Sequence, residues 1–207
     1  GTRAPMRRRT RAHARAAVLP LLLRAGFSPW RARRQELLAW TFAALGCGWG
    51  SHPDEREKAR GLCEDIALVF REKPIAESAA AYARFPMRHT FEAKDPAGFA
   101  AFEEILGGLS PEGAALTMLN LQRDRPTLWD MEQNLKNFTL PLLVLVGDED
   151  HPCLDGSLFL KRTVPTAALQ IVPRAGHTIT MEEPAIVNAA LADLFAAASD
   201  GTWMNHR

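Results

Sequence analysis

Two short stretches of this 207-residue chain end in side chains able to move protons. The apolar run 142–146 stops at Gly147-Asp148-Glu149-Asp150, and the run 168–172 passes through Pro173, Arg174 and Ala175 into Gly176-His177-Thr178. A carboxylate that holds an imidazole in one tautomer makes that imidazole a general base. Such a base can take a proton from a hydroxyl or from water. Both apolar runs are short and rich in Val, Leu and Ile, the pattern of strands buried on both faces of a parallel sheet. In open parallel sheets functional groups gather at the carboxyl ends of strands. The spacing therefore predicts two parallel strands with an acid and a histidine at their exits.

These turns resemble the late part of the α/β-hydrolase superfamily. That family carries its acid after one strand, often as Gly-x-x-Asp, and its histidine in a Gly-His turn after the next. The matching residues are Gly147 to Asp150 and Gly176-His177. Family chain order is Ser, then Asp or Glu, then His, and Asp150 precedes His177. The resemblance spans about residues 44 to 197 and is strongest over 138–191. It implies Asp150 as the triad acid, with Asp148 as runner-up and Glu149 pointing away by strand alternation. It implies His177 as the general base. Gly176 would let the turn carry the ring back over the sheet edge.

The family's third member is missing. A nucleophile elbow needs small-x-Ser-x-small on a tight strand-to-helix turn. Ser28 is followed by Pro29 and Trp30, and Ser51 falls past the expected strand. Ser78 has small flanks but lies in a helical stretch, Ser110 precedes Pro111 as a helix cap, and Ser157 follows the acid. Cys47, flanked two residues away by Leu45 and Trp49, is no better. No Gly-rich oxyanion loop is visible.

The positioning elements follow from periodicity. Thr41 to Leu45 reads as a strand with a Gly-rich exit, Gly46-Cys47-Gly48-Trp49-Gly50, which serves a turn rather than a nucleotide. Residues 53–136 read as helices. The first opens at Pro53-Asp54 with an apolar stripe of Leu62, Ile66, Val69 and Phe70, and Lys73-Pro74 ends it. Others are expected over 75–84, over 96–106 with Phe99, Phe102 and Leu106 on one side, from Ser110 to about Gln122, and near 128–135. Phe85, Phe99, Phe102 and Trp129 are expected to pack core. After the second strand, Pro184 starts a helix with Ile186, Val187, Ala190, Leu191, Leu194 and Phe195 in one stripe. The segment from Trp203 to Arg207 is expected to be loose.

The resulting fold class is α/β: a partial α/β-hydrolase fold, with late parallel strands and a helical cap inserted before the acid-bearing strand. The domain reading is an Arg-rich non-core segment (1–40), a core portion (41–52 and 137–198) and the cap (53–136). The whole chain has formal net charge +1, but residues 1–35 hold ten Arg and no acid. That arm reads as a targeting segment, a basic nucleic-acid arm, or sequence outside the fold, and is expected to be exposed and cleaved first by protease. It lacks interleaved aromatics, which counts against nucleic acid. The opening Gly1 fits a processed or truncated product.

Three scattered cysteines, Cys47, Cys63 and Cys153, form no C-x-x-C and no metal set by spacing. No cofactor motif stands out. No apolar run reaches the ~18 residues of a membrane span, so a soluble, cytoplasmic chain with a small-molecule substrate is expected. The family function is hydrolysis of an ester, lactone or amide by a Ser-Asp-His mechanism, impaired here by the missing elbow. The alternatives are non-catalytic small-molecule binding under the cap, and nucleic-acid binding through the arm.

Overall fold

The computed structural model describes residues 42–45 and 52–203. The Arg-rich arm, Cys47 and the Gly-rich exit at 46–51 lie outside the described residues. Among the described residues three parallel strands form one sheet in the order β1 (Phe42–Leu45), β2 (Leu142–Gly147) and β3 (Ala167–Val172). Phe42 pairs with Leu142, and Leu142 with Ala167.

β2 is the central strand, and Val144, Leu145 and Val146 are wholly buried. Burying each such side chain stabilises the fold by about 1.5–3 kcal/mol. The continuous apolar run is therefore what a strand covered on both faces requires. β3 departs from the expectation of burial on both faces. Among the described residues it has a partner on one side only, and Ile171 is 45% exposed. Parallel neighbours need a crossover, and between β2 and β3 it is helix α7 (His151–Thr163), which the sequence reading had not placed.

Between β1 and β2 the described chain is helical: α1 (Arg56–Glu72), α2 (Ile75–Ala83), α3 (His89–Lys94), α4 (Pro96–Gly107), α5 (Pro111–Thr117) and α6 (Glu132–Lys136). Short 3-10 turns at Pro53–Glu55, Pro86–Arg88 and Trp129–Met131 punctuate the block, and a π segment, Met118–Gln122, continues α5. The stops are those the sequence dictates: Pro74 after α1, Pro86 after α2, and Ser110, whose hydroxyl accepts the Gly113 N–H at 3.2 Å, before α5.

The buried face of α1 keeps Phe70 and Ile66 of the expected stripe but not Leu62. Cys63, Ala67 and Phe70 face α5 and pack with Ala115 and Met118, while Leu62 is 51% exposed. Small Cys and Ala side chains let the helices approach, so the large Leu62 is turned outward. Phe91 and Phe99 are buried together with rings 5.6 Å apart, and half-buried Phe102 joins them. Phe85 and Trp129 are only half-buried, and Trp129 stacks on Phe159 of α7 at 4.8 Å.

After β3 come α8 (Ile179–Glu182) and α9 (Pro184–Ser199). Val187 and Leu194 of α9 pack with Leu143, Leu145, Val172 and Ile179 to make the sheet-side core. Phe195, expected in the same stripe, is 44% exposed. Trp203 is not loose. Its indole N–H donates to the Thr166 carbonyl at 2.8 Å, and its ring lies against the core. That one bond ties the described end of the chain to the start of β3.

Candidate active site

The exits of β2 and β3 are laced together by backbone. Asp148 N–H donates to the Val172 carbonyl (3.0 Å) and Glu149 N–H to the Ala175 carbonyl (2.9 Å). Arg174 reverses the chain with a left-handed φ of 58°. The turn then lies so close to Gly147 that a Cβ there would stand 2.0 Å from the Ala175 oxygen. Gly176 is equally confined, since a Cβ would stand 2.5 Å from the Met87 carbonyl oxygen and from Thr90 Oγ1. Both glycines of the two sequence motifs are thus close-approach residues.

This lacing puts Asp150 and His177 side by side. His177 Nδ1 lies 2.9 Å from Asp150 Oδ2. The Asp150 side chain is 1% exposed and that of His177 is 32% exposed. Asp150 stands at the N-cap of α7, where a carboxylate ordinarily accepts a helix N–H. It makes no such bond; its carboxylate goes to the imidazole instead. With Nδ1–H donating to Asp150, Nε2 carries the ring's lone pair. A carboxylate-held imidazole that is a third exposed has the geometry of a general base.

The other acids at this turn do different things. Asp148 Oδ1 accepts the Ala175 N–H at 3.3 Å, so it braces the histidine turn rather than the ring. Glu149 is 40% exposed and 3.9 Å from His151 Nε2. Sequence reasoning missed three further supports. His177 N–H donates to the Met87 carbonyl at 2.8 Å. Glu182, whose side chain is wholly buried, accepts the Gly176 N–H at 3.0 and 3.1 Å and the Thr178 hydroxyl at 3.0 Å. Cys153 Sγ lies 3.5 Å from His177 Nδ1. The i, i+4 pair Thr178 and Glu182 was the one local signal for these.

No serine among the described residues occupies a strand-to-helix turn. Ser78 is buried in α2, with its hydroxyl donating to the Val69 carbonyl at 2.9 Å. Ser110 caps α5, Ser157 is buried within α7, and Ser199 ends α9. Ser28 and Ser51 lie outside the described residues. A groove beside α1 is lined by Glu57, Arg60, Gly61, Glu64, Arg123 and Asp124, charged residues apart from the glycine.

A scan of protein-family models matches none of them to this chain, and a search of curated protein sequences also matches none. Solved structures do match. MenH from S. aureus superposes with a TM-score of 0.69 at 14% identity, over 77% of this chain and 59% of that one. An esterase (EaEST) from Exiguobacterium antarcticum gives 0.59 at 14% identity, over 76% and 57%. A thermophilic esterase from Thermogutta terrifontis gives 0.53 at 25% identity, over 72% and 52%. The chain therefore spans between half and three-fifths of the length of these structures. Together with the parallel sheet, these likenesses show that the chain carries part of the α/β-hydrolase fold.

Proposed function

We propose that this chain carries the acid and base of a Ser-Asp-His hydrolase site, with Asp150 the acid and His177 the base. The reaction class is hydrolysis of an ester, lactone or amide in a small-molecule substrate. In this reading residues 53–136 act as the cap, 41–52 with 137–198 as the core portion, and 1–40 as a non-core segment. The setting is a reducing, cytoplasmic one, in keeping with the buried thiols Cys63 and Cys153. The observation that supports the reading is the 2.9 Å contact between a buried carboxylate and an imidazole a third exposed. The neighbours described as esterases agree with the reaction class.

The same reading makes residues 1–207 a weak catalyst when alone. Losing one oxyanion donor costs about 10² to 10³ in rate, and losing the triad as a unit costs on the order of 10⁶. Asp150 and His177 can still activate water, but nothing among the described residues positions an acyl group for it.

The test is purified chain assayed on short acyl esters beside a serine-reactive phosphonate. Expected are negligible labelling and a slow hydrolysis that His177→Ala removes. Stoichiometric labelling of a serine, abolished by His177→Ala, would overturn the weak-catalyst part and identify the nucleophile. Hydrolysis unaffected by His177→Ala refutes the site assignment itself.

A further inference from the structure

The acid and the imidazole share their space with a thiol. Cys153 sits in the first turn of α7, where its N–H donates to the Asp150 carbonyl at 2.8 Å. That turn carries Sγ over the N-cap to within 3.5 Å of His177 Nδ1, the nitrogen that also meets Asp150 Oδ2 at 2.9 Å. One ligand atom from each of the three residues lies within 4.8 Å of the others. Asp150 and Cys153 are buried, whereas the histidine side chain is a third exposed. Asp150 Oδ1 is also buried and makes no hydrogen bond among the described residues. A buried carboxylate oxygen without a partner is costly. The scattered cysteines gave no metal set by spacing in the sequence; the fold brings Cys153 and His177 together.

We propose that Asp150, Cys153 and His177 form a binding site for a soft divalent transition-metal ion, zinc above all. Thiolate, imidazole and carboxylate are the three zinc ligand types. A thiolate selects against magnesium and calcium, which take oxygen. The separations approach those of a tetrahedral ion, with the sulfur-to-carboxylate edge, which lies within 4.8 Å, closing to about 3.6 Å. Bonds of about 2.3 Å to sulfur and 2.05 Å to nitrogen put the two ligand atoms about 3.6 Å apart, and Sγ and Nδ1 are 3.5 Å apart. The nitrogen-to-oxygen edge must widen from 2.9 Å to about 3.3 Å. A small outward swing of the exposed imidazole supplies that. Water takes the fourth position, and Oδ1 becomes available to the ion or to that water.

The proton balance is simple. The Cys153 thiol releases its proton to solvent, and the His177 proton moves from Nδ1 to Nε2, with no change of oxidation state. Affinity therefore falls as pH falls. The ion takes the nitrogen that Asp150 otherwise holds, and it leaves Nε2 protonated and unable to accept a proton. Metal binding and general-base action exclude one another. That inhibitory consequence rests on the proposed hydrolase role; the binding itself does not.

The experiment titrates the full chain with cobalt(II), reading thiolate-to-metal charge-transfer absorption, followed by displacement with zinc. Expected is one ion per chain. In Cys153→Ser the band should be lost and zinc affinity should fall by more than the 10- to 100-fold that accompanies loss of an outer-shell partner. Cys63→Ser and Cys47→Ser should keep both. Should Cys153→Ser not fold, His177→Ala, at the exposed member, is read for the same loss of zinc affinity. No thiolate band in the wild type, or affinity unchanged in whichever of the two variants folds, refutes the site. A band lost on Cys47→Ser instead also refutes it. Hydrolytic activity is not read, so failure of the hydrolase assignment and failure of this site are separate results.

Discussion

Gly147→Ala should loosen the contact between Asp150 and His177 without touching either residue. The added Cβ would stand 2.0 Å from the Ala175 oxygen, 2.4 Å from its carbonyl carbon and 2.8 Å from the Gly176 oxygen. Real Cβ atoms essentially never come nearer than 3.0 Å, so the two strand exits must part by at least about 1 Å. The opposing atoms are backbone, so no rotamer change can relieve them. Parting the exits by that amount stretches the Glu149 N–H bond to Ala175, now 2.9 Å, beyond hydrogen-bond range.

Overpacking costs about 1–3 kcal/mol, and the lost bond adds about 0.5–1.5 kcal/mol. A destabilisation of about 1.5–4.5 kcal/mol follows, or a Tm lowered by about 3–18 °C for a chain of this size. The checks are thermal denaturation by circular dichroism and the NMR resonance of the His177 Nδ1 proton, which should weaken or vanish as the ring loses Asp150. If Gly147→Ala melts within a degree of wild type and keeps that resonance, the close approach of the two turns is not what holds the imidazole.

Gly61→Ala should have the opposite sign. Gly61 lies mid-helix in α1 with nothing within 4 Å of a built Cβ, so alanine should add about 0.5–1 kcal/mol, raising Tm by about 1–4 °C in the same melt. Asp130 should give a measurable acid limb. Its carboxylate accepts the Thr127 N–H at 2.8 Å while Thr127 Oγ1 accepts the Asp130 N–H at 3.2 Å, a reciprocal cap, and Arg56 adds an ion pair. The Thr127 bond, and then Arg56, hold the Asp130 pKa below its usual value. Its contribution is therefore complete above the unfolded pKa of about 3.9 and is lost as pH falls through the folded one. Asp130→Ala should cost about 1 kcal/mol at pH 7 and flatten urea-unfolding stability between about pH 5 and 2; an unchanged acid limb refutes the assignment.

What could be read from the sequence is what short-range pattern dictates. An unbroken apolar run marks β2 because a strand covered on both faces has no polar position. Gly147 and Gly176 mark the turns because a Cβ has no room there. Prolines mark the helix starts and stops. The misses are of another kind. Periodicity put Leu62 in the buried stripe of α1 with Ile66, Val69 and Phe70, and only packing against α5 turns the buried face towards Cys63 and Ala67. Trp203 looked loose because its acceptor, the Thr166 carbonyl, is 37 residues away. Cys153 looked isolated because its neighbour is 24 residues on.

The largest of these misses changes how the site is held. His177 is fixed from three directions: by Asp150 at the β2 exit, by Glu182 of α8 through Gly176, and by the Met87 carbonyl of the helical block. Thr90 of α3 stands against Gly176, and Lys94 of the same helix lies 3.9 Å from Glu182. A shift of the 86–94 segment therefore moves the backbone of the histidine turn directly, with no need for a ligand to carry the motion. Ring orientation is then a property of the helical block as much as of the sheet. None of these supports is a nucleophile or requires one. An acid-held imidazole can consequently be assembled in full where no acyl group is positioned. The formed pair and the active hydrolase are separable properties.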